Sequence, residues 1–247
     1  MNRTIKNILL LVSACFLMQN AIGQDDRDFR IGFKIIPGLN WTKSKTSNIQ
    51  KQGSGIGFSF GLMADIKIAD NYFFTPEINV TSMNNSYKLK DTSTGSVNIA
   101  GVANTYNKIS YKYNLKYIEI PLIFKFRTNE IGGMRYWGQI GVAPGFIIGN
   151  QVTTTATPVD LSAPYPISEK YIPNSGDNDK YDFQEHEDNI NVLRASMILG
   201  AGIEYRLVGN TSFYGGLRFN NGFTDISNDK KSKVINNVFG LELGVFF

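Results

Sequence analysis

The chain has 247 residues, with 25 basic and 21 acidic side chains and a formal net charge of +4. No basic patch stands out against this near balance, so nucleic-acid binding is excluded from the leading interpretations. Aromatic residues make up 13% of the chain, 24 residues are glycine, and no long apolar run follows residue 23. This composition favours an all-β protein over a helical one.

Residues 1–23 have the pattern of a secretory signal peptide. Arg3 and Lys6 form a short positive region, and Ile8–Met18 is an apolar core too short to span a bilayer as a helix. Ala21-Ile22-Gly23 then supplies the small-x-small pattern of a cleavage site. The sequence therefore predicts export, with a signal peptide at 1–23 and a mature domain at 24–247.

The single cysteine of the chain lies inside this first segment. Val12-Ser13-Ala14-Cys15 resembles a lipobox, so a lipoprotein signal is an alternative interpretation. Against it, few apolar residues precede Cys15 and the apolar character continues past it. Cleavage after Gly23 leaves a mature chain without cysteine, which excludes a disulfide framework and thiol chemistry. Loss of Arg3 and Lys6 lowers the formal net charge from +4 to +2.

The remaining chain alternates between two kinds of side chain over long stretches. In residues 115–127, apolar side chains recur at every second position from Ile118 to Phe126, while the intervening positions include Glu119 and Lys125. Such alternation sends successive side chains to opposite faces of a strand. Eight stretches share the pattern, and the predicted strands are Arg30–Trp41, Gly55–Ile68, Tyr72–Tyr87, Leu115–Arg127, Met134–Gly149, Ile190–Leu207, Thr211–Thr224 and 235–247.

The polar connections between these strands alternate in length, with 13, 3, 23 (residues 88–110), 6, 40, 3 and 10 residues in chain order. Outer-membrane barrels have this asymmetry, with short periplasmic turns and long extracellular loops, whereas a soluble Greek-key sandwich has no reason for it. Each strand also exceeds the ~9–11 residues that cross a bilayer, and closure is required because an open edge would leave backbone groups unpaired in lipid. Residues 24–247 are therefore predicted to form an all-β, eight-stranded antiparallel transmembrane β-barrel, an up-and-down meander in the lipid of the outer membrane.

In such a barrel the apolar faces meet lipid and the opposite faces line the lumen. The lumen then receives a network of charged side chains, predicted to be structural because eight strands leave room for little more than their own side chains. Trp137, Tyr117 and Tyr214 on the same face favour a filled interior. The alternative is a narrow polar path for ions or small solutes, lined by these charges. The predicted interior charges are Lys34, Asp65, Glu77, Glu119, Lys125, Arg194, Glu204, Arg218 and Glu242, and Lys67 faces the lumen in the same pattern.

The sequence predicts no catalytic residue, metal or cofactor. The single histidine, His186, lies between Glu185 and Glu187 in the 40-residue connection, and the strand pattern places no serine beside it. The acidic residues between positions 177 and 188 have no defined ligand spacing. A loop-based hydrolase around His186 and a calcium site in this connection are the alternatives.

The two longest connections, 88–110 and 150–189, are predicted to be functional, because loops of that length are uncommon as plain connectors. Tyr and Phe stand among prolines in the second connection, a composition suited to recognition of a protein partner. The predicted function is a non-enzymatic outer-membrane protein that is envelope-structural or binds a partner through these loops. A channel for ions or small solutes is the alternative.

Four segments resemble the PorT-like outer-membrane β-barrel family of eight-stranded porin-like proteins. The most specific is Lys116–Lys125, K-Y-I-E-I-P-L-I-F-K, which is similar to the family's aromatic-x-E-I-P strand. The others are Gly32–Trp41, Gly200–Tyr205 and Gly240–Phe247. The resemblance implies a small outer-membrane barrel. Because the family's named member takes part in type IX protein secretion, it also implies an accessory subunit of such a system as a further alternative.

Overall fold

The computed structural model consists of β-strands and short turns in the part of the chain that it describes. None of the described residues belongs to a helix long and apolar enough to cross a membrane. The described residues are 28–44, 49–51, 53–89, 95–99, 102–158, 171–173, 181–185, 190–207, 209–226 and 234–247. The strands are β1 (Phe29–Ser44), β2 (Ile49–Lys51), β3 (Gly55–Ala69), β4 (Tyr72–Leu89), β5 (Gly95–Ile99), β6 (Val102–Glu119), β7 (Leu122–Arg127), β8 (Met134–Pro158), β9 (Tyr171–Pro173), β10 (Tyr181–Glu185), β11 (Leu193–Arg206), β12 (Ser212–Gly222) and β13 (Val234–Phe246).

The long strands close into one antiparallel barrel. β1 pairs with β3 on one side and with β13 on the other, from Gly32 opposite Phe246 to Ser44 opposite Val234. β6 and β7 follow one another along the wall, and both pair with β4 and β8, so together they form one barrel strand. Closure leaves no open edge in the wall, which is the condition for a sheet surrounded by hydrocarbon. The predicted eight-stranded antiparallel meander is confirmed.

The break between β6 and β7 falls on Ile120 and Pro121, inside the segment with the E-I-P pattern. The wall stays hydrogen-bonded across it, because the Glu77 N–H donates to the Pro121 carbonyl (2.9 Å) and the Ile120 N–H donates to the Pro144 carbonyl (2.8 Å). Pro121 has no N–H to leave unpaired at this position. Proline is therefore accommodated in a central strand without opening the barrel.

Burial alternates along most of the barrel wall, although Val234–Asn237 at the start of β13 are all buried. In β3 the side chains of Ser59, Met63 and Asp65 are buried, while Phe60 and Leu62 between Ser59 and Met63 are exposed. Many large apolar side chains on the outward face are exposed, by as much as 72% at Ile56. A soluble protein has no reason to expose so large an apolar surface, whereas a barrel in lipid requires it.

The two ends of the barrel differ. One end, called here the short-turn end, carries the connections at 70–71, 128–133 and 207–211, and the opposite end is called the long-loop end. Exposed aromatic side chains gather around the short-turn end, where the Tyr72 and Phe126 rings lie 5.3 Å apart. Aromatic girdles of this kind mark the membrane–water interface. The aromatic side chains at this end are Phe29, Tyr72, Phe126, Tyr136, Tyr205, Phe213 and Phe247.

The prediction that 88–110 and 150–189 are loops outside the strands is wrong for the residues that the structure describes. β6 begins at Val102 and β8 runs to Pro158, and the two strands remain paired as far as Tyr106 opposite Pro158. β5 extends this sheet beside β6, and β10 and β9 extend it beside β8. The prediction relied on polar composition, but threonine and tyrosine favour strands, and residues 152–157 read V-T-T-T-A-T. The wall therefore continues as an extended sheet above the long-loop end.

Candidate functional site

All nine predicted interior charges lie on the buried face of the barrel wall, and all are less than 9% exposed. They belong to seven of the eight barrel strands, with β6 and β7 counted as one, and form three clusters along the barrel axis. Lys67 is half-buried at the short-turn end and pairs with Asp70. Whether the clusters have a role beyond structure remains a prediction. The nine are Lys34, Asp65, Glu77, Glu119, Lys125, Arg194, Glu204, Arg218 and Glu242.

The first cluster lies near the short-turn end and holds two carboxylates and three cations. Arg30 bridges both carboxylates, at 2.7 Å from Asp65 and 2.7 Å from Glu204. Lys125 approaches Asp65 at 3.3 Å and Arg127 approaches Glu204 at 3.6 Å. Cations therefore exceed carboxylates by one among the described residues of this cluster.

Sequence reasoning left Arg30 and Arg127 out of the interior charges. Both follow the alternation that identified Lys34 and Lys125, since each lies an even number of positions from its neighbour on the same strand. The alternation of side chains between the two faces was thus sufficient to place both arginines in the interior. Their place at the strand ends, where side chains can also reach solvent, is what made the signal easy to overlook.

An aromatic layer separates the first cluster from the second. Trp137 and Tyr214 meet edge to face with centroids 5.8 Å apart, and Phe246 lies 5.3 Å from Tyr214. The Lys125 ammonium lies 4.6 Å from the Phe246 centroid and 5.2 Å from that of Tyr214, so cation–π attraction compensates part of its lost hydration. Gly216 makes room for this layer, because a Cβ there would lie 2.5 Å from the Trp137 ring.

The second cluster lies at the middle of the barrel and is balanced. Lys34 forms ion pairs with Glu77 and with Glu242, the second at 3.0 Å. Arg218 pairs with the same two carboxylates at 3.1 and 3.4 Å. The Gln139 amide donates a further hydrogen bond to Glu242 at 2.7 Å. Each charge faces two opposite charges, which is the arrangement that buried ions need in a low-dielectric interior.

The third cluster contains one ion pair, between Arg194 and Glu119. The Thr81 hydroxyl donates to Glu119 at 2.7 Å, and the Ser59 and Thr81 hydroxyls lie 2.9 Å apart. Arg194 also donates to the Ser196 hydroxyl at 3.3 Å. This pair spans β8 over Gly145, which is paired with Arg194 on one side and with Glu119 on the other, and it therefore lines one side of the lumen.

Apolar side chains fill the interior between the third cluster and the long-loop end. Sequence reasoning predicted only Tyr117 in this layer, because the other members come from strand ends that also carry polar residues. Their joint burial follows only when the barrel closes and brings the strand ends together. The cluster consists of Met83, Tyr113, Leu115, Tyr117, Ile190, Ile226 and Val234.

The described interior leaves little empty space. A cavity of about 20 Å³ borders Asn40 and Asn79, and both side chains have buried amide atoms without hydrogen-bond partners. A second cavity of about 10 Å³ lies beside Arg194. The first is large enough for a single water, which would satisfy those amides. A much larger cleft, of about 510 Å³, opens at the short-turn end.

The residues considered for catalysis and calcium binding are not placed by the structure. His186 lies outside the described residues, and so do the acidic positions at 177, 179, 187 and 188. Among the described residues, no group of three or more His, Cys, Asp and Glu side chains has the arrangement of a metal site. Each of the five carboxylates among the nine interior charges is paired with at least one Lys or Arg side chain.

Comparison with known proteins gave a family match and several similar structures. Residues 19–228 match the family described as outer membrane protein beta-barrel domain. Neisserial surface protein A shares 14% identity and a TM-score of 0.45, over 90% of this chain and 98% of that chain. OprG from Pseudomonas aeruginosa shares 12% identity with a TM-score of 0.41, over 87% and 95%. Ail of Yersinia pestis shares 11% identity with a TM-score of 0.38, over 90% and 100%. None of the curated proteins compared with the chain matches it.

Proposed function

The chain belongs to the outer membrane protein β-barrel domain family, and from this premise we propose that it is a closed, non-enzymatic barrel with an envelope-structural or partner-binding role. Its location is the outer membrane, and its apolar exterior contacts membrane lipid. The observation that carries the proposal is the continuous filling of the interior. Ion-pair clusters, an aromatic layer and an apolar cluster follow one another from the short-turn end to the long-loop end.

A permeating ion would have to break this filling at several levels. At the middle it would displace Lys34 or Arg218 from the two carboxylates that each of these cations pairs with, Glu77 and Glu242. Separating a buried pair costs several kcal/mol per ion, because each charge loses its partner without gaining water. Above that level it would cross the apolar cluster, whose mainly apolar side chains do not replace its hydration shell. Conduction is therefore opposed by electrostatics and by packing.

Single-channel recording in a planar bilayer tests the proposal. We expect refolded protein, whose folding is verified by heat-modifiable gel mobility, to give no stable conductance steps. Glu119→Gln and Lys125→Gln variants serve as probes of the interior. Stable steps from the folded wild type whose size changes in either variant would contradict the proposal and make the lumen a narrow channel.

We infer that partner binding, if the protein has this role, uses the extended sheet above the long-loop end. The paired parts of β6 and β8, with β5, β9 and β10, project beyond the membrane-spanning wall. Their outer strands present backbone groups that another chain can pair with. The resemblance to the PorT-like family supports the finer assignment to that family, and an accessory subunit of a type IX-like secretion system is the alternative that rests on this resemblance alone.

We also infer that residues 1–23 are a signal peptide and that 24–247 are the mature barrel. The support is the positive region, apolar core and small-x-small site in the sequence. The mass of the intact protein purified from outer membranes should correspond to a chain that starts at Gln24. A mass that includes residues 1–23, or one that shows a lipid on Cys15, would contradict this.

A further inference from the structure

The cleft at the short-turn end has the size of a small-molecule site. Its volume is about 510 Å³, within the range of pockets that enclose small ligands. It is bordered by the turn between β3 and β4 and by the turn between β7 and β8. The filling of the interior does not account for this cleft, since it lies outside the first charged cluster.

Three cations border the cleft, and the protein neutralises two of them locally. Lys67 pairs with Asp70 at 3.1 Å, and Arg135 pairs with Glu130 at 3.4 Å. Both pairs lie at the rim, where one or both partners are solvated, and such pairs exchange readily for other ions. The third cation is Arg127, which belongs to the cluster with one more cation than carboxylates. The excess positive charge therefore borders the cleft.

Arg127 is held in place while one of its guanidinium nitrogens, Nη1, makes no hydrogen bond. Its side chain is only 9% exposed, and the guanidinium lies 4.2 Å from the centroid of the Phe73 ring. The nearest carboxylate, on Glu204, is 3.6 Å from Nη1, beyond hydrogen-bond distance. Nη1 is buried and has no acceptor among the described residues. A buried donor without an acceptor costs free energy that a bound anion would recover.

We propose that this cleft binds a phosphate-bearing ligand, with Arg127 as the principal contact. A guanidinium fork fits phosphate oxygens in a bidentate manner, and the Phe73 ring holds that fork in a fixed orientation. Lys67 and Arg135 supply the further donors that a phosphate, with more oxygens than a carboxylate, can use. The phosphate can come from the head group of a phospholipid in the adjoining leaflet or from a soluble periplasmic ester.

Calorimetric titration of the full-length, refolded protein in a phosphate-free maltoside detergent tests the site, with inorganic phosphate as the probe. We expect saturable binding by the wild type and a dissociation constant at least tenfold higher for Arg127→Gln. Arg127→Lys keeps the charge but loses the fork, so its dissociation constant should lie between the two. The matched control is Arg206→Gln, which removes a cation at the same end of the barrel but outside the cleft.

Heat-modifiable mobility establishes that each variant is folded before it is titrated, and Arg127→Lys provides the comparison if Arg127→Gln does not fold.

Titration with glycerophosphoethanolamine distinguishes the two sources of the phosphate group, a phospholipid head group and a soluble ester. Tighter binding than inorganic phosphate indicates a lipid head group, and equal or weaker binding indicates a soluble ester. The proposal is overturned if the wild type shows no saturable phosphate binding, or if loss of the Arg127 fork changes affinity no more than Arg206→Gln does.

Discussion

Replacement of Arg218 by methionine should lower the free energy of unfolding by about 3–5 kcal/mol, because it leaves buried carboxylates without one of their cations. Arg218 donates to both Glu77 and Glu242 and is only 2% exposed. Without it, Lys34 alone faces two carboxylates at the middle of the barrel. Equilibrium unfolding in urea, followed by the fluorescence of the protein folded into lipid vesicles, measures the loss.

Two further variants separate the buried charge from general effects of the substitution. Arg135→Met removes a cation from a rim pair that is 23% and 38% exposed, and we expect a loss below about 1 kcal/mol. Adding Glu77→Gln to Arg218→Met restores the charge balance of the second cluster, so the double variant should be more stable than Arg218→Met alone. Equal losses for Arg218→Met and Arg135→Met would show that the interior ions are solvated and the lumen is open to water.

The fold could be predicted from the sequence because one physical rule governs every strand of the barrel. Side chains at alternate positions face either lipid or the interior. The alternating apolar residues Ile56, Phe58, Phe60 and Leu62 therefore predict a lipid-facing surface from the local sequence alone. The same alternation predicted that the nine interior charges lie on the buried face. It also applied to Arg30 and Arg127, which were overlooked at the strand ends.

The partners of those charges could not be predicted in this way. Arg30 pairs with Glu204, 174 positions away, and Lys34 pairs with Glu242, 208 positions away. Lys34 and Glu242 meet where β1 pairs with β13, and Arg30 and Glu204 lie on strands that are three apart around the barrel, so both contacts depend on closure of the whole barrel. The apolar cluster around Leu115 has the same origin, because its members come from β4, β6 and β13 and from the chain segments beside β11 and β12. Periodicity identifies a face, whereas register across the barrel identifies a neighbour.

The extended sheet was missed for a different reason. Composition separates apolar from polar segments, and a strand beyond the membrane needs no apolar face. In such a strand only β-propensity remains as a signal, as in the threonine run at 153–155. Polar strands are therefore the part of a membrane barrel that sequence patterns describe least well.

Placing arginine at the middle of the lipid-facing surface should lower stability by about 2–4 kcal/mol, and Leu217→Arg is the substitution that tests it. Leu217 is the central residue of β12, is 52% exposed, and lies between Ala201 and Leu241 on the neighbouring strands. Its outward face offers a guanidinium no acceptor within hydrocarbon. Urea unfolding of the protein in lipid vesicles measures the cost.

The matched control is Ile131→Arg, because Ile131 is equally apolar and 60% exposed but lies in a turn at the short-turn end. An arginine there reaches the head groups and water, so its cost should be between about 0 and 1 kcal/mol. The substituted side chain and its exposure are similar at the two positions. The difference between the two losses of unfolding free energy therefore reflects the depth of each position in the membrane. Equal costs at both positions would mean that the outward face of β12 does not meet hydrocarbon, and the assignment of the apolar exterior to lipid would then be wrong. A cost that falls from the centre of β12 toward the turn would instead locate the hydrocarbon boundary along the barrel axis.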